Sequence, residues 1–186
     1  RSARLLCGRV SQSDSGTKVE FLALPEATLT HNTMRGGYSV GASSALSYDL
    51  EGTARVDSLT LSGSAEYNFD AVTSAGLKGS FTLSQDDPGD PGYAPNVATA
   101  PLVMGGQLEA TGKRDLGIFD AELRANAGRT VYGETTYDDT STSSNDFQNT
   151  TSAGAGGRFG YKLTPAVTAF VDGEANYEAY DAASPS

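Results

Sequence analysis

The stretch FDAELRANAGRTV, residues 119–131, alternates strictly between apolar and polar side chains over most of its length. Apolar side chains fall at odd numbers, from Phe119 to Val131, whereas Asp120, Glu122 and Arg124 fall at even numbers. A period of two is typical of a β-strand with one apolar face and one wet face. Strands in soluble proteins usually run to about 5–6 residues. The stretch therefore predicts an unusually long amphipathic strand.

The same pattern recurs in six further segments of the chain. They cover residues 38–50, 59–69, 75–83, 102–110, 153–163 and 167–179. In each segment the apolar side chains share either odd or even residue numbers, which we call the apolar parity. Together with 119–131 the segments have 43 positions on the apolar parity, of which Arg129 alone is charged. The parity switches in the first connection, at about 51–58, where a β-bulge would account for it. The sequence thus predicts seven strands whose apolar side chains share one face.

The connections between these segments alternate in length. Long polar loops follow the third, fifth and seventh segments, at about 85–101, at about 133–151 and from about 180. Tight turns follow the second, fourth and sixth, around Thr73-Ser74, around 112–115 and around Thr164-Pro165. Long loops on one side and short turns on the other are the arrangement of outer-membrane barrels, whose tilted strands need roughly 9–11 residues to cross the hydrocarbon.

These features predict an all-β fold, an antiparallel up-and-down meander of about seven long strands that forms part of a transmembrane β-barrel. In such a barrel the apolar face meets lipid. Charged residues are disfavoured on that face, because placing a charge at the middle of the bilayer costs about 2–4 kcal/mol. A soluble β-sandwich is the alternative, since its apolar face would meet a second sheet. In that case the chain would be a soluble binding module.

The barrel interpretation assigns two sets of side chains. The charges of the polar parity are expected to face the lumen: Asp49, Glu66, Asp70, Lys78, Glu109, Asp120, Glu122, Arg124, Arg158, Lys162, Asp172, Glu174 and Glu178. The aromatic side chains near the ends of the apolar faces are expected to form girdles at the membrane interfaces: Tyr38, Tyr48, Tyr67, Phe69, Phe81, Phe119, Tyr161 and Tyr177.

The composition excludes several classes of protein. The chain has 13 Lys+Arg against 23 Asp+Glu, and its net charge of −10 argues against a nucleic-acid partner. The single cysteine, Cys7, excludes a disulfide scaffold and a cysteine-based metal cluster. No apolar run approaches the roughly 18–20 residues of a membrane-spanning helix. Nine Tyr and seven Phe are too many for a disordered acidic tail.

A search for chemistry in the sequence gives little. His31 is the only histidine, and no nucleophile motif accompanies it. The acidic loop at 86–92 does not match a calcium-binding loop, so ordinary turn chemistry is favoured there and at Asp138-Asp139. The glycine-rich run at 154–160 lacks the spacing of a nucleotide-binding motif. We expect no catalytic residue, no metal site and no cofactor.

A resemblance to known proteins appears in the last third of the chain. Residues 156–167 read GGRFGYKLTPAV, and the pattern runs on through FVDGEANY at 170–177 to Tyr180-Asp181. Two long alternating strands joined by a Leu-Thr-Pro turn resemble bacterial outer-membrane barrels, most of all the putative beta-barrel porin 2 family of Gram-negative bacteria. The resemblance extends over about 35–186. It implies an outer-membrane location and a porin-like role, and it supplies no catalytic residues.

These inferences give a domain division. Residues 1–34 are predicted to be an irregular N-terminal segment, and 35–186 an outer-membrane barrel. Single-chain bacterial barrels have an even number of strands, whereas seven are counted here, and the chain stops at 183–186 without a terminal aromatic residue. We therefore expect a barrel that is incomplete at the C-terminus.

The expected function is porin-like passage of small hydrophilic solutes through the outer membrane, with the lipid bilayer as partner and no enzymatic activity. Nine acids against four bases on the lumen parity predict a weak preference for cations. The alternative within the barrel fold is a surface interaction or adhesion anchor that binds a partner through its long polar loops.

Overall fold

The computed structural model describes residues 2–4, 7–13, 16–49, 54–85, 96–164 and 166–181, with side chains from residue 22 onward except those of 49, 54 and 55. It contains fourteen strands: β1 (Ser2–Arg4), β2 (Cys7–Ser13), β3 (Gly16–Ala23), β4 (Glu26–Thr33), β5 (Gly36–Asp49), β6 (Ala54–Asn68), β7 (Thr73–Gln85), β8 (Val97–Thr99), β9 (Leu102–Asp115), β10 (Phe119–Tyr132), β11 (Thr135–Tyr137), β12 (Thr142–Ser143), β13 (Thr150–Thr164) and β14 (Val167–Tyr180). One 3-10 turn lies at Asp146–Gln148. Within the described residues, no helix is long and apolar enough to cross a membrane.

Eleven of these strands form one sheet. Its order is β1-β4-β5-β6-β7-β9-β10-β13-β14, and β2 joins it through β3, which pairs with β5. Every pairing is antiparallel, and from β4 onward each long strand pairs with the next long strand along the chain. The predicted up-and-down meander of seven long strands is confirmed. A separate three-stranded sheet has the order β12-β11-β8.

The register places the predicted apolar sets of all seven strands on one face of the sheet, called here the apolar face. One row across it reads Val40, Gly63, Gly79, Leu108, Ala127, Ala153 and Tyr177. The opposite side, called here the polar face, carries the charges. The neighbouring row on that side reads Ser39, Ser64, Lys78, Glu109, Asn126, Gly154 and Asn176.

Along β10 and β13, exposure on the two faces is the reverse of that in a soluble protein. Along β10 the apolar side chains from Leu123 to Ala127 are exposed, whereas the polar side chains between them are half-buried. Leu123 is 70% exposed and Val171 on β14 is 77% exposed. No large side chain is fully buried among the described residues, and in that part of the chain no second sheet packs on the apolar face. A sandwich needs that second layer, so the structure does not support the sandwich alternative.

A β-bulge between β5 and β6 explains the switch of parity. Ala45 pairs with Ser58 and Leu46 pairs with Val56, so Asp57 is the extra residue. Apolar side chains therefore lie at even numbers before the bulge and at odd numbers after it. The buried Ser47 hydroxyl donates a hydrogen bond of 2.9 Å to Asp57 Oδ1 and holds the bulge in place. The predicted connection at 51–58 overlaps β6 from residue 54.

The prediction of an irregular segment over 1–34 was wrong for the residues that the structure describes there. β4 pairs with β5 from Glu26↔Ser43 to Thr33↔Gly36, and its Leu29 lies opposite Val40 on the apolar face. The alternation is weak because Leu29 is the one large aliphatic side chain of β4, although threonine favours strands through its branched Cβ. His31 also lies in β4, exposed, with its ring 5.4 Å from that of Tyr38.

Two of the short turns lie beside the predicted positions. Thr73-Ser74 belongs to β7 and 112–115 to β9, and the turns themselves are 69–72 and 116–118. In each turn an aspartate accepts a backbone N–H two residues on: Asp70 from Val72 and Asp115 from Gly117, both at 2.8 Å. The Val72 N–H also holds the pKa of Asp70 below its usual value. Polar residues at strand ends look like turn residues in sequence, because turns and wet faces favour the same side chains.

Candidate functional site

The polar face collects most of the charges that were predicted to face the lumen. Eleven of the thirteen lie on it: Glu66, Lys78, Glu109, Asp120, Glu122, Arg124, Arg158, Lys162, Asp172, Glu174 and Glu178. Asp70 lies in the turn after β6 instead, and the side chain of Asp49 is outside the described residues. Lys113 and Asp115 were missed because they were assigned to a turn. Their odd numbers match Glu109 on the same strand, which would have placed them on the polar face.

Near the short turns, charges are concentrated on this face and most of them form ion pairs. We call this group the charge band: Lys113, Asp115, Asp120, Glu122, Arg124, Arg158, Lys162, Asp172 and Glu174. Lys113 Nζ lies 3.5 Å from Glu122 Oε2, and Lys162 Nζ lies 2.6 Å from Asp115 Oδ2. The ion pairs connect β9, β10, β13 and β14 across the sheet.

Asp172 is the centre of the charge band. Arg124 donates to its Oδ1 and Arg158 Nε donates to its Oδ2, both at 2.8 Å. Arg124 lies on β10 and reaches β14 across Gly156 of β13, which has no side chain to block the path. The guanidinium of Arg158 also lies 4.5 Å from the ring centre of Phe170, a cation–π distance. One carboxylate therefore bridges two guanidinium groups from different strands.

Two rows nearer the long loops carry no charge over six strands. We call them the hydroxyl band: Gly41, Ser62, Ser80, Gln107, Gly128 and Ser152 in one row, and Ser43, Thr60, Thr82, Gly105, Thr130 and Thr150 in the other. Eight of these residues bear hydroxyl groups. Within the described part of the chain, none of the eight forms a side-chain hydrogen bond. Two surface concavities of the polar face share Ser80 and Gln107.

Comparison with known proteins supplies the family. A family model described as "Putative beta-barrel porin 2" matches residues 23–186. The chain belongs to this family. The match includes all seven predicted strands, together with β4, and it begins inside β3. No curated protein and no solved structure matches the chain.

In this member of the putative beta-barrel porin 2 family, the predicted girdle residues lie at two levels. Tyr38, Tyr67, Phe69, Phe119 and Tyr161 lie toward the short turns, and Tyr48, Phe81 and Tyr177 lie toward the long loops. Phe69 follows β6 in the turn itself and packs edge-on against Tyr67, with ring centres 5.1 Å apart. Phe119 lies 5.3 Å from the rings of both Phe159 and Tyr161. Phe159 was missed, although its parity placed it on the apolar face.

The long-loop end of this β-barrel porin family member carries an ordered lobe formed by β8, β11, β12 and the 3-10 turn. Asn145 Nδ2 donates to the Gly133 carbonyl at 2.7 Å and to Thr135 Oγ1 at 2.9 Å. Asn149 Oδ1 accepts the Tyr132 N–H at 2.7 Å. Both asparagines are buried. These side chains fix the fold of the loop, because buried polar groups are costly unless they are hydrogen-bonded.

Arg129, the one charge on the apolar parity of the seven predicted segments, is neutralised at the same end. Its guanidinium donates to both oxygens of Asp181, at 3.1 Å and 2.5 Å, and to Thr151 Oγ1. The hydrogen bonds from Arg129 hold the pKa of Asp181, just beyond β14, below its usual value. A charge at the end of a strand can thus be carried on the apolar face.

Proposed function

We propose that the protein passes small hydrophilic solutes across the outer membrane of a Gram-negative bacterium, through a lumen lined by the polar face. The observation that carries the proposal is the sorting of side chains by register. Charged residues are gathered on one side of the sheet and apolar residues are exposed on the other, and along β10 and β13 the polar side is the less exposed of the two. Membership of a family of β-barrel porins supports the same proposal.

Physical chemistry explains why this sorting suits a membrane pore. Lipid offers no hydrogen-bonding partners, so a spanning sheet must pair its backbone groups within itself. The antiparallel pairing of β4 to β14 does this along most of each long strand. Charged side chains are tolerated only on the side that meets water. A membrane pore built from this sheet would therefore have a water-filled interior and an apolar exterior.

The ion pairs of the polar face show which charges remain to determine the selectivity of the lumen between cations and anions. Each described cation on it contacts an acid: Lys78 lies 3.5 Å from Glu109, and Lys113, Arg124, Arg158 and Lys162 are paired within the charge band. Among the described acids of that face, Glu66, Asp120, Glu174 and Glu178 form no ion pair. The remaining field is therefore negative, and the lumen should favour cations weakly.

This selectivity can be measured as a reversal potential in a planar bilayer under a potassium chloride gradient. The unmodified protein should show a modest cation preference. Asp172→Asn should move the reversal potential toward the value of an anion-selective pore, because Arg124 and Arg158 lose the carboxylate that bridges them. Asp139→Asn removes the same formal charge from the ordered lobe at the long-loop end and should cause a smaller shift. Anion preference in the unmodified protein would contradict the proposal.

A surface interaction anchor is the second candidate function, and the ordered lobe at the long-loop end favours it. A disordered loop would expose its polar groups to water, whereas this lobe buries Asn145 and Asn149 to keep one shape. An anchor needs no open lumen. Solute passage therefore predicts bilayer conductance, and an anchor with a closed interior predicts none.

A further inference from the structure

We propose that the hydroxyl band makes the lumen favour solutes rich in hydroxyl groups, such as sugars and polyols, over solutes of similar size with few hydroxyl groups. The inference rests on the proposed solute passage and names the class of solute. It starts from a contrast on the polar face: the cations there are already engaged by acids, whereas the hydroxyl groups of the band have no side-chain partners within the described residues.

A side chain that already forms an ion pair interacts differently with a passing solute from a side chain that has no partner. Arg124 and Arg158 are bound to Asp172, so a solute must break existing ion pairs to interact with them. The hydroxyl groups of Ser80, Thr82 and Thr130 need no such exchange. Each hydroxyl can both donate and accept, as can the hydroxyl groups of a sugar. The band therefore offers matched hydrogen-bonding groups without an electrostatic preference.

The spacing of the band allows several contacts at once. Neighbouring strands lie about 5 Å apart, and residues on one face of a strand repeat at about 7 Å. A solute the size of a hexose can therefore reach hydroxyl groups on two strands or in both rows. Gly105 lies between Thr82 and Thr130, and a Cβ placed on it would meet no atom within 4 Å, so the wall is recessed there.

Weak contacts at many positions suit passage rather than capture. A channel must bind its solute well enough to admit it but weakly enough to release it. Neutral hydrogen bonds to exposed hydroxyl groups are individually weak, since water competes for them. Their repetition across β5, β6, β7, β9, β10 and β13 gives a solute a series of equivalent positions along the wall.

Swelling of protein-loaded vesicles tests the inference. Two neutral probes of similar size are compared: glucose, and tetraethylene glycol, which has few hydroxyl groups. Glucose should enter faster than tetraethylene glycol. The double variant Thr82→Val and Thr130→Val should lower the ratio of the glucose rate to the tetraethylene glycol rate by about two- to fivefold, because it removes two hydroxyl groups at nearly constant volume.

Thr111→Val is the matched control. Thr111 lies on the polar face between Gly76 and Arg124, outside the hydroxyl band, so this variant should keep the ratio of the unmodified protein. Ser80→Ala provides a second test within the band should the double variant fold poorly. An unchanged ratio in the band variants, or an equal fall in the control, would overturn the inference while leaving solute passage intact. Absence of swelling with every probe would overturn the proposed function as well.

Discussion

Arginine in place of Ala125 should lower the free energy of unfolding by about 2–4 kcal/mol. Ala125 lies in the middle of β10 on the apolar face, between Ala110 and Ala155 on the neighbouring strands. If that face meets lipid, the new guanidinium is placed in hydrocarbon far from either interface. Unfolding by urea in lipid vesicles, followed by the change in β-sheet circular dichroism, measures the effect.

Asn126→Arg is the control for this prediction, because it puts the same side chain one residue further along the same strand. Asn126 lies on the polar face opposite Glu109, where a cation meets water and a carboxylate. We expect a change in unfolding free energy within about 0.5 kcal/mol, as at ordinary surface positions. Equal effects of the two arginines would contradict the assignment of the two faces.

Alanine in place of Gly36 should destabilise the protein by about 3 kcal/mol or more. Gly36 begins β5 with a φ of +153° and lies opposite Tyr67. A Cβ at this position would clash with the carbonyl oxygen of Glu66. Backbone atoms cannot rotate away as a side chain can, so the hairpin between β5 and β6 would have to shift.

The matched control is Gly112→Ala, in β9 on the apolar face. A Cβ there would meet no atom within 4 Å, and no positive φ applies. This change should be neutral or stabilise the protein by up to about 1 kcal/mol, because alanine restricts the unfolded chain. The urea titration described above compares the two variants. A Gly36→Ala variant as stable as Gly112→Ala would show that the β5 strand does not have this close approach.

Much of the fold could be predicted from the sequence because one physical signal dominates it. The alternation in 119–131 appears as β10, and the register then aligns Ala125 with Ala110 and Ala155. Strand parity decides the face of every residue, so a long alternating strand predicts both its own face and that of its partners. The division of charged from apolar positions therefore followed without knowledge of the pairing.

The remaining features depend on contacts that a single strand does not reveal. Asp57 is the extra residue of a bulge, which only the pairing of Leu46 with Val56 makes visible. Arg124 and Asp172 are 48 residues apart, and their contact depends on Gly156 lying between them on the sheet. Likewise, only the structure shows that the Thr82 and Thr130 hydroxyl groups form no side-chain hydrogen bond among the described residues. The parity of a residue's number predicts which face of the sheet its side chain occupies, whereas the register of the strand pairing determines which residues it can contact.

The most direct test of the account is a nitroxide scan along β10. Single cysteines are introduced from 119 to 132 in a Cys7→Ser background, labelled, and reconstituted in lipid vesicles. Collision rates with oxygen, which concentrates in hydrocarbon, and with a water-soluble nickel chelate are then measured at each position. We expect a period of two, with oxygen favoured at Leu123, Ala125 and Ala127 and the chelate favoured at Arg124 and Asn126. Equal access of the chelate to both sets would contradict an apolar face in lipid and a polar face on a water-filled lumen.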